Sequence, residues 1–350
     1  MKTEHILIIR FSAMGDVAMT VPVVQALARQ YPHLRITFLS RPFARPFFEG
    51  LAPNVGFMAA DIKNEYSGIR GLNALYKRIA AKNITAVADL HDVLRSSYLR
   101  FRFNLARYRV EHIDKHRTQR QRLVATAHKV MKPLPTAFQN YADVFAKLGY
   151  PVKLDFTSIF SPQGGNIRIL PPEIGTKKAF QEWIGVAPFA AHKQKVYPPE
   201  MLEKMITMLT KEHPSCRVFI FGKGPLEDPI INGIVSRNPQ CLNASAVLNG
   251  ISQELVLMSH LDVMVSMDSA NMHFASLVNT PVVSIWGATH PYAGFMGWGQ
   301  NEHNAVQIDL ACRPCSIFGN KPCLRGDLAC MRNISPEMVY ERVKQVLNKK

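Results

Sequence analysis

The sequence lacks long hydrophobic runs and any recognisable export signal. None of its apolar stretches approaches the ~18 residues that span a bilayer. The run His5–Ile9 is too short for the core of a signal peptide, and no small-residue cleavage site follows it. We therefore expect a buried first strand at this position and a cytoplasmic protein.

Acidic residues are also scarce. The 350 residues include 26 Asp and Glu against 42 Lys and Arg, which gives a formal net charge of +16. Between Arg95 and Lys132, called the basic segment below, eleven Lys and Arg accompany only Glu111 and Asp114. Such a segment fits nucleic acid, anionic lipid headgroups, a phosphorylated acceptor or a solvated face without a partner. No zinc-finger, homeodomain or RNA-recognition signature accompanies it.

The overall composition, 47% hydrophobic and 19% charged, is that of a folded protein. Strand and helix patterns alternate along both halves of the chain, which indicates an α/β fold with parallel sheets. The expected strands are 6–10, 35–39, 85–90, 183–188, 217–221, 261–267 and 282–286, and the expected helices include 17–31, 71–81, 199–212, 228–237 and 252–260.

A Gly- and Pro-rich interruption divides this pattern. It predicts a first domain at residues 1–162, a linker at 163–180 and a second domain at 181–350. Two α/β halves joined by one linker predict a ligand site in the cleft between them.

The stretch from Leu261 to Trp286 predicts a strand, a tight turn, a helix and a second strand. Asp268 and Ser269, which follow the first strand, are both good N-cap residues. A helix that begins at the carboxyl end of a buried strand directs free N–H groups and partial positive charge towards bound ligands. The pattern fits a phosphate cradle or an ordinary capped helix.

Two further loops follow predicted strands. After the first strand, Gly15 permits a turn that brings Asp16 to the sheet edge, where the carboxylate is either a general base or a helix cap. This loop lacks the Gly-x-Gly-x-x-Gly pattern, so a nicotinamide-dependent enzyme is disfavoured. In the second half, His192, Lys193 and Lys195 precede a helix, and a lysine there either neutralises a departing diphosphate or is solvated.

Three sequence islands together resemble glycosyltransferase family 9, the heptosyltransferases of lipopolysaccharide core assembly. They are Arg10-Phe-Ser-Ala-Met-Gly-Asp-Val, Lys195-Val-Tyr-Pro, and Met267-Asp-Ser-Ala-Asn-Met-His-Phe-Ala followed by Trp286-Gly-Ala-Thr-His-Pro. The resemblance covers nearly the whole chain. It implies the GT-B architecture, with two Rossmann-like doubly wound domains facing across a cleft. The first would bind the acceptor and the second the nucleotide sugar, and the last helix would be able to pack back on the first domain.

The resemblance also implies an inverting transfer from a nucleotide-activated sugar, typically ADP-heptose, without a cofactor or metal. The acceptor would be an anionic glycolipid at the inner face of the inner membrane, and no nucleic-acid partner is expected. Asp16 matches the family's proposed catalytic base, and Lys195 matches the lysine that contacts the donor phosphates. The candidate donor-binding residues are Asp268, Ser269, Ala270, Asn271, His273, Lys193, Gly222, Glu227 and Thr289.

Two of these residues carry alternatives. His273 matches the histidine of the donor-binding helix in the family, but a packed helix face explains it too. Family members often have a ribose-binding acidic residue in the loop after the Gly222 strand, and here that loop is Lys223-Gly-Pro-Leu-Glu227.

Four of the six cysteines lie in one Gly- and Pro-rich loop, at Cys312, Cys315, Cys323 and Cys330. In a cytoplasmic chain these are a possible metal site rather than disulfides. Only the first pair has the C-x-x-C spacing of zinc sites, so free thiols are favoured over zinc.

A different class of function also fits the sequence. The chain could be a non-catalytic nucleotide- or nucleic-acid-binding protein that uses the basic segment. A steep salt dependence of nucleic-acid binding would distinguish this alternative from sugar transfer.

Overall fold

The computed structural model describes residues Glu4–Lys349, which form two compact units. The first contains the chain up to Lys115 together with Pro135–Phe156, and the second contains His116–Leu134 together with the chain from Thr157 onward. The sequence predicted one linker at 163–180, whereas the chain passes between the units at three points.

The first unit is built on a five-stranded sheet with the order β3-β2-β1-β4-β5, in which neighbouring strands are parallel. The central strands β1 and β4 are buried along their whole length, as expected for parallel strands covered on both faces. The strands are β1 (His5–Ile9), β2 (Arg35–Ser40), β3 (Val55–Ala59), β4 (Ala86–Asp89) and β5 (Arg109–His112).

The helices of this unit follow its strands in sequence. The predicted helix 17–31 is two helices, because Pro22 has no N–H and its ring would clash with the carbonyl of Ala18 in a continuous helix. In chain order the helices are α1 (Met14–Ala18), α2 (Val21–Gln30), α3 (Arg45–Phe48), α4 (Gly68–Ala80), α5 (Leu94–Leu105), α6 (Arg117–Leu123), which belongs to the second unit, and α7 (Ala137–Lys147).

The second unit is built on a six-stranded parallel sheet with the order β11-β10-β9-β6-β7-β8. Its strands are β6 (Trp183–Ala187), β7 (Arg217–Ile220), β8 (Cys241–Asn243), β9 (Val263–Met267), β10 (Val282–Ile285) and β11 (Ala305–Val306). Its later helices are α8 (Pro199–Glu212), α9 (Asp228–Arg237), α10 (Ala244–Val247), α11 (Ile251–Met258), α12 (Ala270–Leu277), α13 (Ala329–Arg332) and α14 (Pro336–Leu347).

Contacts along residues 116–134 explain why this segment belongs to the second unit. Arg120 of α6 lies 5.1 Å and 5.7 Å from the ring centroids of Phe295 and Phe318. The Lys129 ammonium group donates to two backbone carbonyls of the second unit, and the Leu134 N–H donates to that of Tyr292. The basic segment is therefore divided after Lys115 between the two units.

Both sheets are parallel and their central strands are buried, so the predicted α/β fold with two doubly wound parallel sheets is confirmed. The core of the second unit includes Val186, Val265 and Ile285 from three adjacent strands. The last helix, α14, packs against α8 and β10 of the second unit. Among residues 4–349, every helix is too short or too polar to cross a bilayer.

Two glycines within strands provide a test of this core. A methyl group on Gly185 in β6 would overlap the Met264 sulfur and the Leu261 side chain. At Gly56 in β3, the nearest atom would be the Ile36 carbonyl oxygen at 3.8 Å. We expect Gly185→Ala to lower the free energy of unfolding of the second unit by about 1–3 kcal/mol, because overpacking displaces core side chains.

Urea unfolding followed by tryptophan fluorescence measures this change, because Trp183, Trp286 and Trp298 all lie in the second unit. Gly56→Ala is the matched control and should leave that transition unchanged. Equal transitions for the two variants would mean that β6 accommodates the extra methyl group.

Candidate functional site

Three polar side chains meet at the carboxyl ends of β6, β9 and β10, which are neighbours in the second sheet. Asp268 directly follows β9, and its Oδ2 accepts a hydrogen bond from the Thr289 hydroxyl at 2.8 Å. The same oxygen lies 3.4 Å from Lys195 Nζ. Because the Asp268 and Lys195 side chains are only 9% and 12% exposed, their attraction is screened less than at the surface.

The Lys195 side chain is held on its other side by a loop. Gly319 has a φ of +76°, and a Cβ on it would lie 2.5 Å from Lys195 Cγ. The loops after β6 and β10 are also joined, because the Ala288 N–H donates to the Gln194 carbonyl at 3.4 Å. The loops after β6 and β10 and the loop that contains Gly319 thus hold the Lys195 side chain in place.

Helix α12 begins beside this cluster. Its N-cap is Ser269, whose side chain makes no capping hydrogen bond and lies 3.2 Å from the Ser266 hydroxyl. Asp268, which the sequence placed among the N-cap residues, instead bonds Thr289. Ser269, Ala270 and Asn271 are half-buried while the rest of α12 is buried. The accessible part of α12 is therefore the end with the free N–H groups.

Two other candidate residues, His273 and Lys193, differ from each other in exposure. His273 is on α12 and is only 7% exposed. Lys193 is exposed on the turn that leads to Lys195. Lys195 is therefore the lysine of this loop that the structure places next to Asp268.

A second group of polar residues lies at the carboxyl end of β7. The Gly222 N–H donates to Ser245 Oγ at 3.1 Å, and a Cβ on Gly222 would lie 3.1 Å from Glu227 Oε2. The Glu227 carboxylate therefore turns back towards Gly222, and burial raises its pKa. Glu254, which the sequence analysis missed, lies 3.3 Å from the Ser245 hydroxyl, and burial raises its pKa as well.

Arg313 is a further residue that the sequence analysis missed. Its guanidinium group is buried and donates to the carbonyls of Gly287 and Thr289, on either side of the turn after β10. It also donates to the Ile308 carbonyl and to Gln307 Oε1. Arg313 thus fixes the turn that presents Thr289 to Asp268, although nothing in its sequence neighbourhood distinguishes it from a solvated arginine.

The four clustered cysteines line one small cavity together with Arg313. They are free thiols, and burial raises the pKa of Cys330 to about 11. Burial and the neighbouring Cys312 also raise the pKa of Cys315. Within residues 4–349, no group of three or more His, Cys, Asp or Glu side chains has the geometry to hold a metal ion.

In the first unit, Asp16 lies after β1 at the third position of α1. Its Oδ2 accepts from the Ala13 N–H at 3.1 Å, and its Oδ1 pairs with Arg10 at 3.1 Å. The Asp16 side chain is 26% exposed, so it both caps α1 and presents an accessible carboxylate. Burial lowers the pKa of Arg10, but Asp16, Tyr141 and Asp89 together outweigh burial, and the pKa of Arg10 is raised.

The loop that carries Asp16 rests on β4 through His91. His91 Nδ1 accepts from the Phe11 N–H at 3.4 Å, so the neutral ring carries its proton on Nε2, which faces Ser12 Oγ at 3.3 Å. Burial, followed by the charge of Arg10, lowers the pKa of His91 to about 3. This side chain is therefore a neutral support for the loop.

Three comparisons relate this geometry to known proteins. The model of the family described as glycosyltransferase family 9 (heptosyltransferase) matches residues 72–321. The Campylobacter jejuni protein "Lipooligosaccharide heptosyltransferase 2" is 27% identical over 133 residues, which span 37% of this chain and 40% of that protein. The Escherichia coli protein "Lipopolysaccharide heptosyltransferase 3" is 24% identical over 302 residues, which span 84% of this chain and 85% of that protein.

The structure of E. coli heptosyltransferase WaaC with ADP is similar to this chain with a TM-score of 0.67 and 16% identity. The similarity covers 98% of this chain and 99% of that one. It supports two Rossmann-like domains of the GT-B type, as the sequence predicted.

The neutral state of His91 predicts a dependence of stability on pH. The pKa of His91 is about 3 in the folded protein, against an ordinary value of 6.5. Between these two pH values His91 is protonated in the unfolded chain but not in the folded protein. Stability contributed by His91 is therefore complete above pH 6.5 and is lost as the pH falls towards 3. We expect His91→Asn to reduce the loss of stability on acidification by up to about 1.4 kcal/mol per pH unit.

Urea unfolding at several pH values between 4.5 and 7 provides the measurement. His33→Asn, a change at an exposed histidine of the same unit, should retain the slope of the unmodified protein. Parallel curves for the unmodified protein and His91→Asn would mean that His91 is not held neutral.

Proposed function

The chain belongs to glycosyltransferase family 9, and from this membership we propose that it transfers a heptose from ADP-heptose to an anionic glycolipid of the lipopolysaccharide-core type. The observation that supports donor binding is the Lys195–Asp268–Thr289 cluster beside the start of α12. A buried cation and free helix N–H groups at one strand edge are what a diphosphate requires.

In this proposal Asp268 orients Lys195 and does not bind the donor itself. One proton of the Lys195 ammonium group faces Asp268 Oδ2, which leaves two for phosphate oxygens. The N–H groups from Ser269 to Asn271 supply further donors. Together they stabilise the negative charge that develops on the departing diphosphate, a role in which one positioned donor is worth about 3–4 kcal/mol.

The reaction that we propose inverts the anomeric centre. Asp16 takes the proton of the acceptor hydroxyl while the hydroxyl oxygen attacks the anomeric carbon from the face opposite the diphosphate. The carbon–oxygen bond to the diphosphate breaks in the same step, and the electron pair leaves with the diphosphate. The Arg10 ion pair and the Ala13 N–H hold the Asp16 carboxylate in one orientation for this proton transfer.

The net positive charge of the chain supports the proposal that it acts on an anionic glycolipid at a membrane surface. With a net charge of +16, the chain is attracted to phosphorylated and carboxylated lipids. We therefore propose that it acts in the cytoplasm, at the inner face of the inner membrane. The alternative, a non-catalytic nucleotide- or nucleic-acid-binding protein, requires binding without turnover, so release of ADP that depends on acceptor would contradict it.

Asp16→Asn tests the proposed base. The amide can still accept from the Ala13 N–H but cannot take a proton, so we expect turnover to fall by roughly two to four orders of magnitude. Acceptor-dependent ADP release measures turnover, and ADP binding by calorimetry should stay within about threefold as a control for folding. Near-normal turnover would return Asp16 to a purely structural role as the cap of α1.

Lys195→Ala tests the phosphate cradle. Loss of a charged hydrogen-bond donor should weaken ADP binding by about 10- to 100-fold, because such bonds contribute about 1.5–3 kcal/mol. Adenosine lacks the diphosphate, so its affinity should change much less. Lys211→Ala, at the far end of α8, removes one equally charged side chain and is the matched control. Equal losses for ADP and adenosine would be inconsistent with the cradle.

A further inference from the structure

Helix α5 in the first unit has two apolar faces. Leu99 and Phe103 are fully buried and point towards β4 and β5. Leu94, Phe101 and Leu105 recur at intervals of seven and four residues, which places them on one opposite stripe of the helix. The inner face explains the packing of α5 on the sheet, but the outer face needs a different explanation.

The outer stripe is open to solvent. Leu94, Phe101 and Leu105 are 92%, 60% and 71% exposed. Ile69, which is 71% exposed, lies on neighbouring α4, one helical turn before the Asn73 side chain that bonds Arg102 of α5. Single exposed apolar residues are ordinary, but a stripe of them along one helix marks an interaction surface.

The helix cannot rotate to bury this stripe. Arg102 donates to Asn73 and lies 4.4 Å from the ring centroid of Tyr76, both on α4. On the sheet side, Arg100 pairs with Asp89 and Asp92 at 3.1 Å each. These contacts fix the orientation of α5, and the outer stripe with it.

The charge around the stripe identifies its partner. From Leu94 to Val110 the chain has five arginines and no acidic residue, and Arg95 and Arg107 are exposed at the two ends of α5. A second copy of this face would bring arginines against arginines. An anionic lipid surface would instead attract the arginines and accept the apolar side chains between its headgroups.

We propose that the outer face of α5 (Leu94, Phe101 and Leu105, with Arg95 and Arg107) docks the protein onto an anionic lipid bilayer. This inference rests on the proposed function in one respect: an enzyme with a glycolipid acceptor has to reach the membrane that contains the acceptor. The apolar side chains enter the headgroup region, and the arginines remain at the level of the phosphates. The acceptor is thereby presented close to the first unit.

Vesicle co-sedimentation tests the proposal with the whole 350-residue chain. The vesicles contain either phosphatidylcholine alone or phosphatidylcholine with 30 mol% phosphatidylglycerol. We expect at least tenfold tighter binding to the anionic vesicles, with an affinity that falls as salt increases. Leu94→Ser/Phe101→Ser/Leu105→Ser should lose at least tenfold of this affinity. Arg95→Gln/Arg107→Gln should flatten the salt dependence.

The matched control replaces exposed apolar residues of the second unit, one aromatic and two aliphatic, in the variant Ile169→Ser/Phe180→Ser/Leu324→Ser. It should bind anionic vesicles within twofold of the unmodified protein. If this control loses as much affinity as the α5 variant, the binding is a general property of exposed apolar residues, and the proposal is overturned.

Two further measurements separate this proposal from its rivals. Sedimentation equilibrium should give the same molar mass for the unmodified protein and the triple-serine α5 variant. A lower mass for the variant with unchanged vesicle binding would overturn the proposal in favour of contact between copies. Transfer to a deacylated, water-soluble acceptor should be unaffected by the α5 changes. If the unmodified protein binds vesicles through α5 but transfers no sugar, the proposed function fails and the docking surface stands.

Discussion

Parallel strands that are covered by helices on both faces leave only their ends for polar chemistry. In the second sheet, β9 is fully buried, and Asp268 directly follows its last residue. In the first sheet, β4 ends at the buried Asp89, whose carboxylate holds the loop that follows and Arg100. Since all strands of a parallel sheet end at the same edge, residues far apart in sequence meet there. Asp16, Lys195, Gly222, Asp268 and Thr289 all follow strands at such an edge.

Asp268 illustrates how a buried residue at the end of a strand acquires its bonding partners. A carboxylate this deeply buried is stable only with partners, and it finds them in the Thr289 hydroxyl and the Lys195 ammonium group. The pairing keeps the lysine charge oriented before any ligand arrives. Arg313 adds support by bonding the carbonyl of Thr289, which fixes the backbone that carries the hydroxyl. In the proposed reaction, such a site would need little reorganisation as charge develops on the diphosphate, which is the condition for efficient electrostatic stabilisation.

The sequence predicted the parts of the fold that local chemistry determines. Helices α8 and α9 begin and end as expected, because Pro199 and Asp228 mark their starts and the apolar spacing continues without interruption. The buried strands were found within two residues. The four edge strands β3, β5, β8 and β11 were missed. In β5, for example, only the β4 backbone beside it stabilises the polar sequence as a strand. Membership of residues 116–134 in the second unit was equally hidden, because Lys129 bonds carbonyls 182 and 185 positions away.

The candidate site was predictable to the same extent. Lys195, Asp268 and Asp16 could be identified because they follow strands and match the sequence islands of the family. The residues that they bond could not be identified from the sequence. Nothing in the sequence indicates that Asp268 would bond Thr289 rather than cap α12, or that Glu254 would lie beside Ser245. These pairings are set by how loops from different strands fit together, which no local pattern encodes.

The large positive charge has two separate explanations in the structure. Arg10, Arg100 and Arg313 are largely buried, and each holds a loop at a strand end by bonding carbonyl or carboxylate oxygens. Arginine suits this task because its planar group offers five donors and keeps its charge when buried. These cations are already paired within the protein. Attraction of the proposed anionic partner therefore depends on exposed cations such as Arg95 and Arg107. The net charge of the whole chain does not indicate where such a partner would bind.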